Sequence, residues 1–465
     1  MTFDRLSPLD ATFLHIEDGV THMHIASVLV LDGPTPTYEA MLDMIRGRLP
    51  LLPRYRQVVK FVPFQLGRPV WVDDPHFHLE YHVRHSALPA PGGEAELRRL
   101  VGRVMSQQLD RTKPLWEVWA VDGLDDGRWA LLSKVHHCMV DGVSGTELLT
   151  VMLDSTPEPT APLPDNWKPQ PQPSSTDLMR DAVTSLLRSP YEQVRAVRAA
   201  TRMPRHALAQ AREIGRGIAA MAGLVRPTPL SSLNGAIGPH RRYAWASVTV
   251  DDIKTVRKGL GGTFNDVVLA VITSGFRTLL EAREEPTDRV VRTLVPVSVR
   301  PRDASGKAVG DGTFENKVSA MFAELPVGIA DPEARLHALS AQLEGLKRSN
   351  QAVAGEALTS LSGFAPPMLL SLGTRIATKM SQRNVNTVTT NVPGPQMPLY
   401  MLGRKVQRAF PYVPLGGQIR VGVAIFSYDG QVNFGVTGDF DAAPDLNVLA
   451  AGIESGMAEL LERAT

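Results

Sequence analysis

Apolar positions along the chain follow two periods. Near-continuous or alternating apolar runs at His24 to Leu31, Trp129 to Val135, Ala244 to Val250 and Val290 to Val299 predict strands. Apolar residues spaced three and four apart at Tyr38 to Leu49, Glu94 to Leu109, Asn265 to Ala282, Ala334 to Lys347 and Leu446 to Arg463 predict helices. Val421 to Tyr428 and Val432 to Thr437 read as a strand pair, with Asp429 and Gly430 at the turn. The mixture on both sides of the middle predicts an α/β (α+β) protein.

Between the two mixtures, Thr156 to Ser175 carries proline at 157, 159, 162, 164, 169, 171 and 173, too dense for helix or central strand. The pattern therefore divides into a first domain over 1–155, a connector and crossover over 156–232, and a second domain over 233–465. No sequence repeat relates the halves. Within the crossover, Asp177 to Arg226 places Met179, Val183, Leu186, Leu187, Val194 and Val197 at helical spacing among arginines that outnumber the acids. Such a basic amphipathic segment is either a solvated crossing helix or one that lies on an anionic lipid surface.

A chain of 465 residues, 43% apolar and with a formal charge of +1, can build two substantial cores and has no charge excess for nucleic acid. Its single cysteine forms no intrachain disulfide, and the start MTFDRLSPLD lacks a secretory pattern, so a reducing cytoplasm is the expectation. No apolar run reaches the roughly 18 to 20 residues that span a bilayer, so any membrane contact is expected to be peripheral.

The candidate chemistry sits where the strand ending at Val135 runs out. His136, His137, Asp141 and Gly142 form the pattern HHxxxDG, followed by helical spacing from Thr146 to Leu153. On extended backbone adjacent side chains point to opposite faces, so one histidine can meet a substrate while the other is structural. An imidazole in a cleft takes a proton from an alcohol near neutral pH. Asp141, before a glycine able to turn tightly, fixes the loop. Cys138, in a spacer with Met139 and Val140, reads as packed. His76, His78 and His82 with Glu80 would share one face of a strand, a partly exposed surface in preference to a zinc site. Gly215 to Ala220 matches the loose dinucleotide fingerprint, but it follows a helical pattern and not a strand.

HHxxxDG resembles the acyltransferase superfamily that includes chloramphenicol acetyltransferase and the peptide-synthetase condensation domains. Further motifs narrow the resemblance to the bacterial wax ester synthase / acyl-CoA:diacylglycerol acyltransferase family. They are Leu6 to Phe13, the PLW element Pro114, Leu115 and Trp116, Ser232 to Gly235 before Arg241 and Arg242, Asn265 and Asp266, Pro296 to Arg300, and Asn391 to Pro395.

The resemblance implies two chloramphenicol-acetyltransferase-like sandwich domains of mixed sheets flanked by helices, with a tunnel between them that reaches the histidine. It implies His137 as general base, long-chain acyl-CoA as co-substrate, no bound cofactor or metal, and diacylglycerol or a fatty alcohol as acceptor. Pro114, Leu115, Trp116, Asp266 and Ser298 are candidate substrate-binding residues, with Trp116 alternatively a core aromatic. Asn265 is either an amide at the reacting centre or a helix cap. Arg300 is expected to pair with Asp141, and Asn391, Pro393 and Gly394 to be scaffold. Working on water-insoluble lipids, such an enzyme is expected in the cytoplasm, peripherally on the inner membrane or lipid droplets.

Overall fold

The computed structural model describes residues 3–139, 151–184, 231–298, 318–348 and 385–465. Asp141, Gly142, Arg300, Gly215 to Ala220 and most of the crossover from Asp177 to Arg226 lie outside the described residues.

The first half opens with helix α1, Pro8–Ile16. Ser7 caps it by accepting the Asp10 N–H at 3.1 Å, and Pro8 occupies the first turn, where no amide hydrogen is needed. Then follow β1 (His24–Leu31), α2 (Tyr38–Arg48), β2 (Gln57–Lys60), β3 (Val70–Asp73), the single turn α3 (Leu79–His82), β4 (Val83–Ala87), α4 (Glu94–Met105), β5 (Trp116–Asp122) and β6 (Trp129–His136). The second half comprises β7 (Arg241–Thr249), α5 (Val250–Leu260), α6 (Phe264–Ala282), β8 (Val291–Ser298), β9 (Val318–Leu325), α7 (Pro332–Arg348), β10 (Thr387–Pro393), β11 (Tyr400–Met401), β12 (Arg404–Tyr412), β13 (Val421–Tyr428), β14 (Gln431–Asp439) and α8 (Leu446–Ala464).

Two six-stranded mixed sheets result, in the orders β11-β12-β1-β6-β5-β4 and β7-β14-β13-β10-β8-β9. The first contains a long-range exchange: β12 leaves the second half and pairs antiparallel with β1, Ala26 opposite Tyr412 through Val30 opposite Arg408. The division at 155 and 233 drawn from the sequence does not anticipate this. The β13–β14 hairpin turns at Asp429 (φ 44°) and Gly430 (φ 80°), the left-handed pair that a two-residue turn demands.

The seam is closed by packing as well as pairing. Val28, Val30, Leu97, Val101 and Phe410 share one buried cluster with Tyr243 and Trp245 of β7, and the Trp245 ring stacks on Phe410 at 4.5 Å. Gly102 of α4 approaches β7 so closely that a side-chain carbon there would lie 2.7 Å from the Arg241 carbonyl oxygen.

Residues 161–174 run without regular structure, as the prolines require, and residues 175–184 begin a helix. Its Leu178 and Ala182 are buried against Val58, Val62, Val70 and Val72 of the β2–β3 hairpin, so this start of the basic segment is anchored to the first half.

One strand reading is overturned. Residues 76–82 do not form an alternating strand: Asp74 accepts the His76 N–H in a tight turn, and the chain then makes the helical turn α3. Leu79 and His82, three apart, are buried on one side, so His82 points into the core and not along a histidine face.

Candidate active site

β1 and β6 run antiparallel with His24 opposite His136, so the first residue of one strand and the last of the other end together. The chain then turns through a short helical segment, His137–Met139. Its entry is pinned on both sides: the His136 N–H donates to Leu115 O at 2.9 Å and the His137 N–H to Met23 O at 2.8 Å.

The two histidines have different surroundings. His136 is fully buried, its Nδ1 accepts the Cys138 N–H at 3.1 Å, and its Nε2 faces the Glu17 carboxylate at 3.5 Å. With Nδ1 accepting, the neutral ring carries its proton on Nε2, toward Glu17. His137 is half-buried, and its ring stacks on Phe13 with centroids 4.0 Å apart. Both Phe13 and Glu17 come from α1 and the residue that ends it.

Glu17 is the hub beneath the turn. Its side chain is 2% exposed, meets His24 Nε2 at 3.1 Å and His136 Nε2 at 3.5 Å, and accepts the Met23 N–H at 3.3 Å. Arg111 reaches the same carboxylate, its Nε at 2.9 Å. Burial pushes the Glu17 carboxyl up, but hydrogen bonding from His136 and His24 outweighs it and holds the group ionised, far below the ordinary carboxylate range. Burial takes His24 down to about 3, with Glu17 opposing, so His24 is neutral. Nearby Lys134 is buried too. Its ammonium donates to Val104 O at 3.0 Å and to Gln107 O, and burial lowers its pKa to about 8.

Cys138 is 4% exposed, packed with Leu6, Ala11, Leu14, Trp71, Leu109 and Leu115. Burial, with the charges of Asp10 and Glu17, raises its thiol well above the usual value, which opposes a thiolate nucleophile.

The PLW element is packed into the first half. Pro114 and Leu115 are buried, and Trp116 is 1% exposed with its Nε1–H on Tyr55 O at 2.8 Å and its ring stacked on His82 at 4.5 Å. Trp116 is placed as a core aromatic: its indole needs a buried acceptor and finds it in Tyr55 O, while Leu115 supplies the carbonyl that holds His136.

In the second half, α6 begins with a capping box. Thr263 is the cap: its Oγ1 accepts the Asp266 N–H at 3.2 Å, and Asp266 Oδ2 accepts the Thr263 N–H at 2.9 Å. The same oxygen takes the Ser340 hydroxyl at 2.7 Å. Asp266, expected at the substrate, is thus 3% exposed and committed to the helix start. Asn265 is not the cap, because Thr263 already fills that position. It lies in the first turn, and its Oδ1 accepts the Asn391 Nδ2 at 3.3 Å. The structure therefore joins two motifs 126 residues apart in sequence.

Pro393 closes β10 opposite Ser427, and the Gly394 N–H donates to Ser427 Oγ at 3.2 Å. A side-chain carbon at Gly394 would collide with the Ser427 carbonyl and the Phe426 ring, which accounts for glycine there. Ser298 ends β8 in register with Val318; its backbone alone is described. Val392, next to Asn391, and Met139, next to Cys138, pack against the same apolar cluster.

Glu17, Phe13, His24 and Lys134 were not identified from the sequence as parts of this site. The only signal for the first two was their place in and just after the Leu6 to Phe13 motif, which gave no indication of contact with residues 136 and 137.

A histidine turn at paired strand ends, set against a second mixed sheet across a packed seam, defines the class of CoA-dependent acyltransferases and condensation domains. The starter condensation domain of rhizomide synthetase, crystallised with C8-CoA and Leu-SNAC, has this fold at a TM-score of 0.57 and 14% identity, covering 100% of this chain and 94% of that one. The wax ester synthase/diacylglycerol acyltransferase of Marinobacter aquaeolei VT8 is more similar, with a TM-score of 0.70 and 28% identity over 99% of both chains.

Within that class, the chain belongs to the wax ester synthase/diacylglycerol acyltransferase family and is an acyltransferase. The family's catalytic-domain model matches residues 6–268 and its C-terminal-domain model residues 314–461. The tgs1 protein of Mycobacterium tuberculosis H37Rv, named a probable diacylglycerol O-acyltransferase, is 37% identical over 461 residues, 98% of this chain and 96% of its own. Among the described residues no helix is long and apolar enough to cross a membrane.

Proposed function

We propose that this acyltransferase moves a long-chain acyl group from acyl-CoA to the hydroxyl of diacylglycerol, giving triacylglycerol and CoA, with His137 as general base. The observation that carries the reading is the division of labour within one turn of chain. His136 is sealed and held by Cys138 and Glu17, while His137 is half-buried on the Phe13 ring.

The acceptor hydroxyl gives its proton to His137 as its oxygen attacks the thioester carbonyl. A base so placed contributes about 10² to 10⁴ in rate. The tetrahedral oxyanion collapses, the carbon–sulfur bond breaks, and the proton passes to the departing CoA sulfur. No covalent enzyme intermediate forms, in keeping with the raised thiol pKa of Cys138.

Asn391 occupies the Asn265 carbonyl oxygen, which leaves the Asn265 NH₂ to donate. Directed at the oxyanion, such a donor is worth about 3 to 4 kcal/mol. A fatty alcohol is the competing acceptor, since it too presents one hydroxyl on an apolar chain and the Marinobacter protein's name covers both reactions.

Because acceptor and product are insoluble in water, the enzyme works peripherally on a membrane or lipid-droplet surface in the cytoplasm. Flotation with phosphatidylglycerol liposomes tests that placement, and a protein that stays at the bottom of the gradient refutes it. The reaction is tested by CoA release from palmitoyl-CoA, with diacylglycerol or hexadecanol offered separately and the lipid product resolved. Wild type is expected to form triacylglycerol and His137→Ala to lose about 10² to 10⁴ in kcat. Equal rates would remove His137 as base, and wax ester as the main product would reassign the acceptor.

A further inference from the structure

We propose that the tip of the β2–β3 hairpin is a lipid-docking wedge, with Phe64 as its leading side chain and a phospholipid surface as its partner. This rests on the reading that the enzyme works at a lipid surface, and it names the element that makes the contact. Phe64 is 79% exposed, Phe61 44% and Val183 45%, the last on the helix over residues 175–184 that packs along the hairpin. Large apolar side chains exposed together mark an interaction surface.

The backbone holds Phe64 outward under strain. Strand β2 ends at Lys60 and β3 begins at Val70, and between them Phe64 (φ 56°) and Gln65 (φ 54°) both adopt the left-handed region. A bulky side chain is disfavoured there, and glycine or asparagine would be the relaxed choice. Strain retained for a ring that buries so little of itself points to use of that ring outside the fold.

Behind the tip the hairpin is firmly mounted, with a different element on each face. Val62 and Val70 pack on Leu178 and Ala182 of the 175–184 helix, while Val59 and Trp71 pack with Ala11 and Leu14 of α1. The helix side runs from base to tip. Asp73 at the base accepts the Gln170 N–H at 3.0 Å, and Lys60 donates to Pro173 O at 2.8 Å. At the tip, a side-chain carbon at Gly67 would stand 3.3 Å from Ala182 Cβ, so Val183 arrives at the same end as Phe64. Phe61 meets His15 of α1 with ring centroids 6.3 Å apart, which fixes the tip to the helix that sets Phe13 on His137.

Charge favours a lipid surface as the occupant. Arg180 is exposed and makes no ion pair among the described residues. Lys60 and Arg68 donate to carbonyls, Pro173 O and Leu6 O, and have no carboxylate partner among the described residues. The carboxylates on the adjoining helix are engaged: Asp181 pairs with Arg5, and Asp177 accepts the Ser174 hydroxyl at 2.6 Å. Apolar side chains flanked by cations suit the boundary between acyl chains and anionic headgroups. A protein partner would need about 800 Å² of complementary surface on each side, which three projecting side chains do not supply.

The test uses the full chain, sedimentation with sucrose-loaded phosphatidylcholine vesicles with and without phosphatidylglycerol, and denaturant titration. Phe64→Asn removes the ring and suits the left-handed backbone. It is expected to weaken vesicle binding at least about tenfold without lowering the unfolding midpoint. Phe64→Trp should bind as wild type does and add an emission that brominated acyl chains quench. Arg180→Gln should weaken binding about fivefold, and only where phosphatidylglycerol is present. Phe64→Asn that binds vesicles as tightly as wild type overturns the proposal and leaves the membrane reading standing, because wild type still binds. Unquenched emission from vesicle-bound Phe64→Trp does the same. Wild type that binds no vesicles overturns both. A wild-type dimer that Phe64→Asn dissociates, with vesicle binding kept, overturns the lipid assignment and gives the tip to a second copy of the chain.

Discussion

The two sheets share a strand count and a mixed topology, yet they are filled differently. In the second half one continuous apolar cluster runs from Leu233 to Leu460, wrapping α6 and α8 around β7, β13 and β14. Gly275 of α6 permits the close approach: a side-chain carbon there would lie 2.7 Å from the Leu449 carbonyl. In the first half the apolar residues fall into several separate clusters, and Glu17, His24, Lys134 and His136 are buried at the strand ends. Burying ionisable groups costs stability unless each is paired. The second half buries ionisable groups too, Arg241, Asp266 and Arg335 among them, so what sets the first half apart among the described residues is its buried histidines.

That contrast can be broken by paired substitutions. Phe276→Ala, in the fully buried middle of α6, is expected to cost about 3 to 5 kcal/mol of stability while leaving kcat per folded molecule unchanged. Glu17→Gln keeps the shape and removes the charge beneath both histidines, and is expected to cost about 1 to 3 kcal/mol. It acts as a positioning residue, so kcat should also fall at least about tenfold as His136 loses its anchor. Denaturant titration with kinetics on the same samples decides the matter. If Glu17→Gln lowers stability without touching kcat, the first half is no more specialised than the second.

The second half nonetheless contributes one amide to the chemistry proposed here, and this sharpens the comparison. Asn265→Ala should lower kcat by about 10² to 10³ if its NH₂ meets the oxyanion. Asn391→Ala, which frees the Asn265 oxygen but leaves its NH₂, should cost less. Because Thr263 and Asp266 cap α6 without it, neither change should move the unfolding midpoint by more than about 1 kcal/mol. Equal activity in Asn265→Ala and wild type would confine the chemistry to the first half.

These contrasts also show which parts of the molecule could be read from the sequence. Elements with a local signature were legible: β1 by its apolar run, α6 by its period, and the β13–β14 hairpin by Asp429 and Gly430. What escaped was made by long-range pairing. Nothing in Arg404 to Tyr412 says that it will join a strand near residue 28, because either sheet could accept its alternation. The HHxxxDG histidines were legible as a pair, but Glu17 and Phe13 reach them only after α1 docks, a contact with no local periodicity to announce it. The alternation over His76 to His82 misled for the converse reason. A short polar run fits a strand or a turn equally well, and the decision fell to the stacking of His82 on Trp116.

A pH dependence follows from that buried histidine population. His22, His24 and His82 are buried, whereas the second half buries no histidine among the described residues. Burial lowers all three, His24 to about 3 and His82 to about 4. Each folded value lies below the unfolded value near 6.5, so the unfolded chain takes up protons first. The stabilisation is therefore complete above about pH 6.5 and is lost as pH falls toward the folded values, at up to about 1.4 kcal/mol per pH unit for each histidine. Glu17 adds a loss of the same sign below its ordinary range, since its carboxyl is held ionised in the fold. The melting temperature should fall by a few degrees between pH 7 and pH 5, and amide exchange should quicken in β1 and β6 before it does in β13 and β14. A midpoint flat across that range would mean that the first half buries its histidines charged, and that the electrostatic burden separating the two sheets is carried elsewhere.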